Sequence, residues 1–173
     1  RITALSPDSV TLSVSETTDS KSEPSVAVTL YQGLPKGDKL ELIVQKAVEL
    51  GVFRIVPVVT ARSIARESAR DQKKTARLQK IANEAAGQSG RGILPTVEPP
   101  VSFAAAAARM AGEHTVVLYE CGGAPLRETV KDAPRALSLF VGPEGGIAPD
   151  EAETLVKNGA RTATLGPRIL RCE

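Results

Sequence analysis

Leu137-Ser138-Leu139-Phe140-Val141-Gly142-Pro143-Glu144-Gly145-Gly146 is the stretch that decides the fold. Its first half is almost wholly apolar and reads as a strong strand, and it runs without a break into a loop rich in glycine. Glycine at the end of a strand lets backbone approach a ligand closely or takes up positive φ. The same arrangement stands on both sides. Upstream, a strand over 115–119 leads into Tyr119-Glu120-Cys121-Gly122-Gly123. Downstream, 149–158 reads as a helix with Pro149 in its first turn, Asp150 and Glu151 near its positive end and Gly159 after it. A last strand over 162–165 then opens into Gly166-Pro167-Arg168-Ile169-Leu170-Arg171. In a parallel sheet all three loops emerge at the carboxyl edge, where open α/β sheets bind ligands, so one site is expected there.

Working outward toward the N-terminus, 26–30 is a short strand. Asp38 opens a helix, with Glu41 three residues on as its capping-box partner. Leu40, Ile43, Val44, Ala47 and Val48 make one apolar face, and Gly51 sits where a glycine ends a helix. Residues 52–59 read as a buried strand whose Pro57 suggests an edge or a strand end. A long polar helix over 69–88 closes at Ser89-Gly90; 93–97 is a weak strand and 101–110 an alanine-rich helix ending near Gly112. Strands alternating with helices imply an α/β domain with a mainly parallel sheet over 25–173. Before it, Val10, Leu12 and Val14 alternate as in a strand with no visible partner, and 17–25 is a polar linker. Residues 1–24 are therefore expected to be the end of a small β-rich domain plus its linker.

Composition narrows the function classes. Among 173 residues 42% are apolar but only 3% aromatic, and Trp is absent, so the core must be Val, Leu, Ile and Ala. No apolar run reaches the roughly 18 residues of a membrane span, and the first residues do not show a signal-peptide pattern. Cys121 and Cys172 are too few for a disulfide framework and suit a reducing cytoplasm. Neither G-x-G-x-x-G nor the P-loop pattern occurs. The lone His114 precedes a strand, where it reads as solvated, and it offers neither a zinc site nor a catalytic triad; no metal is expected.

Net charge is only +2, but its distribution is uneven. Between 54 and 91 stand Arg54, Arg62, Arg66, Arg70, Lys73, Lys74, Arg77, Lys80 and Arg91, against Glu67, Asp71 and Glu84. Arg70, Lys73, Lys74, Arg77 and Lys80 recur every three or four residues and share one arc of the long helix. A solvated face usually mixes signs; this one scarcely does, and it points to phosphate contacts. With so few aromatics, shape and backbone contacts rather than base stacking are expected.

Phe140-Val141-Gly142-Pro143-Glu144-Gly145-Gly146 together with Leu165-Gly166-Pro167-Arg168-Ile169-Leu170-Arg171 resembles the paired signature of the SPOUT superfamily of knotted methyltransferases. More closely, the chain is similar to the bacterial 16S ribosomal RNA uracil-N3 methyltransferase family. Pro35-Lys36-Gly37-Asp38-Lys39, Gln45-Lys46-Ala47-Val48-Glu49-Leu50-Gly51-Val52 and Glu84-Ala85-Ala86-Gly87-Gln88-Ser89-Gly90-Arg91 support that narrower likeness, which runs from Val26 to the end.

The resemblance implies a deep trefoil knot near the C-terminus, a homodimer, and S-adenosylmethionine bent among the knot loops. It makes residues 1–24 the remnant of a PUA-like RNA-binding barrel. It also implies that cofactor is held around Leu118, Glu120, Gly142, Pro143, Glu144, Gly145, Gly146, Leu165, Gly166, Ile169 and Leu170. Uridine N3 must lose a proton before attack; Arg168 or Arg171 would stabilise the anionic base, and Glu144, Glu120 or Glu173 would accept the proton. Lys36, Arg62, Arg70, Lys73, Lys74, Arg77, Lys80, Gln88, Ser89 and Arg91 would touch ribosomal RNA of the small subunit. The family pattern reads Arg-Thr-Glu-Thr-Ala and continues into a C-terminal helix. Here Cys172 replaces the first Thr and the sequence stops at Glu173, so a further segment is expected. Two other readings stay open: the same fold acting on tRNA or a ribose 2′-hydroxyl, and an RNA-binding module without catalysis.

Overall fold

The computed structural model describes residues 1–18, 21–63, 72–131 and 135–173. Its centre is an eight-stranded sheet in which every pairing is parallel. After a hairpin of β1 (Ile2–Leu5) and β2 (Val10–Leu12) come β3 (Ala27–Gly33), α1 (Lys39–Glu49), β4 (Arg54–Val59) and α2 (Gln72–Gln88). Two short edge strands follow, β5 (Thr96–Val97) and β6 (Val101–Ser102), then α3 (Phe103–Met110) and β7 (Thr115–Leu118). The chain ends through β8 (Ala124–Pro125), α4 (Leu126–Thr129), β9 (Ala136–Val141), α5 (Pro149–Lys157) and β10 (Arg161–Thr164). Across the sheet the order is β5-β4-β3-β9-β7-β10-β8, with β6 also on β4.

Strand alternation builds two cores, one on each face. Leu30 and Ile55 point to one side with the apolar face of α1, where Leu40, Ile43, Val44, Ala47 and Val48 are all buried, and with Leu78, Ala82, Ala85 and Ala86 of α2. Their neighbours Tyr31, Val56 and Phe140 point to the other, against Ala106, Ala107 and Met110 of α3 and Ala152 and Leu155 of α5. Phe103 meets Phe140 edge-on at 6.2 Å. At the end of α1 the N–H groups of Gly51 and Val52 return to Val48 and Ala47, a Schellman closure with Gly51 at φ +95°.

Several expectations need correction. Asp38 is the N-cap of α1, but its side chain makes no capping bond, and Glu41 reaches instead to Arg77 at 2.9 Å. Pro57 lies inside β4, not at its end; β5 pairs with Arg54 and Ile55, β6 with Val58 and Val59, and the proline falls in the gap between them. A residue with no N–H is tolerated where the outer ladder is interrupted. Residues 101–110 divide into β6 and α3, with the Ser102 hydroxyl accepting from the Ala105 N–H at 3.2 Å. The 10–14 strand has a partner after all, since Val10–Leu12 pairs antiparallel with Ile2–Leu5. His114 is half-buried, and its Nε2 is buried without a partner among the described residues. Arg70 and the start of the helix expected at 69 lie outside the described residues. No described helix is long and apolar enough to cross a membrane.

Candidate functional site

The three glycine-bearing loops converge. They line one cavity of about 560 Å³ at the carboxyl edge, within the roughly 300–1,000 Å³ of small-ligand sites. Each wall has its own local cause.

The first wall is the loop after β9. Gly33, at the end of β3, runs so close to it that a Cβ there would lie 2.6 Å from Pro143 Cδ. A Cβ on Gly142 would meet Ile147 Cγ1 at 2.7 Å, and Gly146 stands at φ +74°, a conformation that favours glycine. The buried Gln32 amide donates to the carbonyls of Gly33 and Gly142, at 3.0 and 3.4 Å, and so fixes the approach.

The second wall is the five-residue link from β7 to β8. Ala163 of β10 pairs with Leu118 on one side and Ala124 on the other. The link therefore bridges over β10, so closely that a Cβ on Gly123 would lie 2.7 Å from the Thr162 carbonyl. The third wall is the segment after β10. The Thr164 hydroxyl turns it by accepting from the Gly166 N–H at 3.2 Å and donating to the Gly166 carbonyl at 3.0 Å. Leu165, Ile169 and Leu170 are exposed on the cavity.

Lys39, at the start of α1, joins the first and third walls: its ammonium lies 3.1 Å from Glu144 and 3.3 Å from Glu173. The Glu144 carboxylate also accepts the Lys36 N–H at 3.1 Å. Burial pushes Glu144 upward, but its own N–H, Lys39 and Lys36 together hold it below the ordinary carboxylate value. Glu173 is likewise low: burial raises it, and its own N–H, Lys39 and the Cys172 thiol outweigh that. Burial, with the neighbouring carboxylates, pushes the Cys172 thiol up to about 11. It stays protonated at neutral pH.

Beside the first wall Arg62 donates to the Gly145 carbonyl at 2.7 Å. Its position is set through the buried Glu151, whose carboxylate takes the Ala61 N–H at 2.8 Å and the Ala148 N–H at 3.3 Å. Arg168 and Arg171 both line the cavity, and Arg171 is 85% exposed.

The residues expected on RNA separate. Lys73, Arg77, Lys80 and Gln88 are exposed on α2 and Lys74 is half-buried, while Lys36 and Arg62 sit at the cavity's margin. Arg77 is paired with Glu41, and Lys80 lies 3.8 Å from Glu84. Ser89 turns its hydroxyl back to the Ala85 carbonyl at 2.7 Å. Arg91 is a correction. Its side chain, only 3% exposed, pairs with Glu23 at 2.7 Å and donates to the Val52 carbonyl at 2.6 Å, so its guanidinium is engaged inside the fold rather than turned out toward a phosphate. Sequence reasoning misses Lys39 and Glu151. Lys39 stands within the 35–39 stretch, and Glu151 reads only as a helix-dipole residue; no spacing rule ties either to a loop 90 or more residues away. Among the described residues no group of three or more His, Cys, Asp or Glu side chains is disposed to hold a metal.

An open parallel sheet whose carboxyl-edge loops meet on a glycine-walled cavity of mixed apolar and charged lining defines an α/β protein built to take a small ligand at that edge. Residues 21–173 match the model of the RNA methyltransferase domain, and the chain belongs to that family. It is 39% identical to ribosomal RNA small subunit methyltransferase E of Bacillus subtilis over 98% of this chain and 70% of that protein. With the protein of the same name from Synechocystis the identity is 35%, over 90% of this chain and 52% of the relative. The chain thus spans 52% to 70% of the length of these relatives. Among solved structures, a hypothetical protein superposes with a TM-score of 0.91 at 39% identity, covering 99% of this chain and 70% of that one. A ribosomal RNA small subunit methyltransferase E from Neisseria gonorrhoeae bound to S-adenosyl methionine gives 0.81 at 35% identity, covering 90% and 64%.

Proposed function

We propose that this chain is the S-adenosylmethionine-dependent catalytic domain of an enzyme that methylates N3 of a uridine in small-subunit ribosomal RNA. The observation that carries the reading is the meeting of three loops on one cavity, whose apolar and glycine backbone stretches lie beside a charged set of Lys39, Glu120, Glu144, Arg168, Arg171 and Glu173. The apolar and backbone stretches fit a nucleoside sulfonium, whose adenine and ribose need close backbone donors and acceptors, and the charged groups are left for the acceptor base and its proton. Leu118, Gly142, Pro143, Gly145, Gly146, Leu165, Gly166, Ile169 and Leu170 would hold it. The similarity to a protein solved with that cofactor supports the choice. When bound, the cofactor supplies an electrophilic methyl group, so the protein need only orient the acceptor and manage its proton. Arg168 and Arg171, exposed on the same cavity, stabilise the base as it becomes anionic.

The β7–β8 link over β10 supports a trefoil knot through which the C-terminal segment is threaded. A homodimer in the cytoplasm and a PUA-like domain ahead of residue 25 complete the reading, on the strength of the family likeness. Calorimetry with S-adenosylmethionine, then methyl transfer to small ribosomal subunits and to tRNA with the product mapped, tests it. One site per chain and N3-methyluridine in 16S RNA are expected. No cofactor uptake would leave a binding module, and product in tRNA or on a ribose would move the target. Arg171→Ala should cut turnover about 100-fold with cofactor affinity almost unchanged; equal losses in both would remove the anion-stabilising role.

A further inference from the structure

Three glutamates border the cavity, and they differ in what already holds them. Glu144 is committed to Lys39 and the Lys36 N–H, and Glu173 to Lys39 and the Cys172 thiol. A proton acceptor so engaged must first break a charge-assisted contact. Glu120 is placed otherwise. It stands on the link over β10, and among the described residues its carboxylate makes no hydrogen bond or ion pair. A Cβ on Gly146 would collide with Glu120 Oε1 and would come within 3.4 Å of Arg62 Nη1, so both side chains reach over the glycine turn. The other titratable or charged groups lining the cavity are Tyr119 on the same link, Lys39 and Glu144, and Arg168, Arg171, Cys172 and Glu173 on the third wall. Tyr119 is no rival, because its contact with the Cys121 thiol, then burial and nearby negative charge, hold its phenol above the ordinary value.

We infer that Glu120 is the general base of the reaction, the group that takes the proton from the ring nitrogen of the acceptor base. The inference rests on the N3-methylation reading above. The N3–H bond breaks and its proton passes to a Glu120 carboxylate oxygen. The electron pair left on N3 forms the new N–CH3 bond. The C–S bond of the sulfonium donor breaks with its electrons remaining on sulfur, which departs as a neutral thioether. Glu120 then releases its proton to water. Arg168 and Arg171 receive the charge that develops on the base.

Glu120→Gln keeps the size and polarity of the side chain but removes its basicity. In the whole protein that carries this chain, acting on small ribosomal subunits, we expect kcat to fall at least about 100-fold while the Kd for S-adenosylmethionine changes less than about twofold. The variant's residual rate should climb steadily with pH from 6 to 9, where the unaltered enzyme levels off. Glu120→Asp should recover part of the rate. Glu144→Gln and Glu173→Gln serve as the comparison. A Glu120→Gln enzyme within threefold of normal overturns the inference, as does a larger rate loss in Glu144→Gln or Glu173→Gln. A parallel loss of cofactor affinity would overturn it too, making Glu120 a cofactor ligand. Product mapping on the unaltered enzyme separates the two claims: N3-methyluridine with an indifferent Glu120 defeats only the base assignment. A methyl group found anywhere but on a ring N–H nitrogen defeats the function on which it rests.

Discussion

Lys39 occupies a position that helix electrostatics disfavour. The first turn of α1 is its positive end, where anions gain and cations lose. Glu144 and Glu173 reverse the balance, since two carboxylates at a helix N-terminus are favourable and the lysine neutralises their mutual repulsion. The result is a clasp between the glycine turn after β9 and the segment after β10, the two walls that must stay together for the cavity to exist. Its groups are about a third exposed or less, so the clasp should matter more for local order than for folding. Lys39→Met is expected to weaken S-adenosylmethionine binding by about three- to fivefold, the scale of one or two exposed ion pairs, with the melting temperature little changed. Calorimetry beside a thermal melt checks this. Unaltered affinity would mean that the segment is held by its apolar residues alone.

At the scale of elements, what is legible in the sequence is whatever follows from period and punctuation. The five buried positions of α1, the glycine that ends it, and Pro149 at the head of α5 are local facts, and the structure bears out each. Helix α2 is legible as a helix but not as a surface. Seen alone its face is nearly all positive; in the fold Glu41 of α1 lies beside Arg77, and Arg91, just past the helix end, is buried on Glu23. Pairings between elements 36 and 68 residues apart leave no trace in spacing. The same blindness hides β8, two residues long and defined only by its place beside β10. These corrections sharpen the expectation for RNA. Charge reversal at Lys73, Lys74 and Lys80 should weaken ribosomal RNA binding, and each lysine–phosphate pairing removed should lower the slope of log K against log salt by about 0.7 to 0.9. Reversal at Arg91 should instead unfold the protein before affinity can be compared. Filter binding across a salt series tests the set, and a slope unchanged by the triple variant would leave α2 as ordinary solvated surface.

For the molecule as a whole, the Glu23–Arg91 pair is where distant parts are joined. Glu23, just ahead of β3, accepts from the guanidinium of Arg91 and from the Gly92 and Ile93 N–H groups, while Arg91 also reaches the Val48 and Val52 carbonyls at the end of α1. One carboxylate thus fastens the N-terminal arm to the closing turns of α1 and α2. Its pKa lies below the ordinary value, first through the Arg91 hydrogen bond, against which burial works, and then through Ile93, the charge of Arg91 and Gly92. A carboxylate held low in the fold contributes stability that is fully present above its unfolded value of about 4.5, and that fades as pH falls through the folded value. Glu144 acts in the same direction. Glu23→Ala strands an arginine only 3% exposed, at a cost of about 2–4 kcal/mol, or roughly 4–16 °C in Tm for a chain of this size. The shape of the pH curve follows from the same pair. Between pH 6 and 3.5 the unaltered protein should lose Tm more steeply than the variant, because the variant no longer has this acid-sensitive pairing to give up. If instead the two curves run parallel across that range, Arg91 is satisfied by the α1 carbonyls alone, and the carboxylate is incidental to the seam.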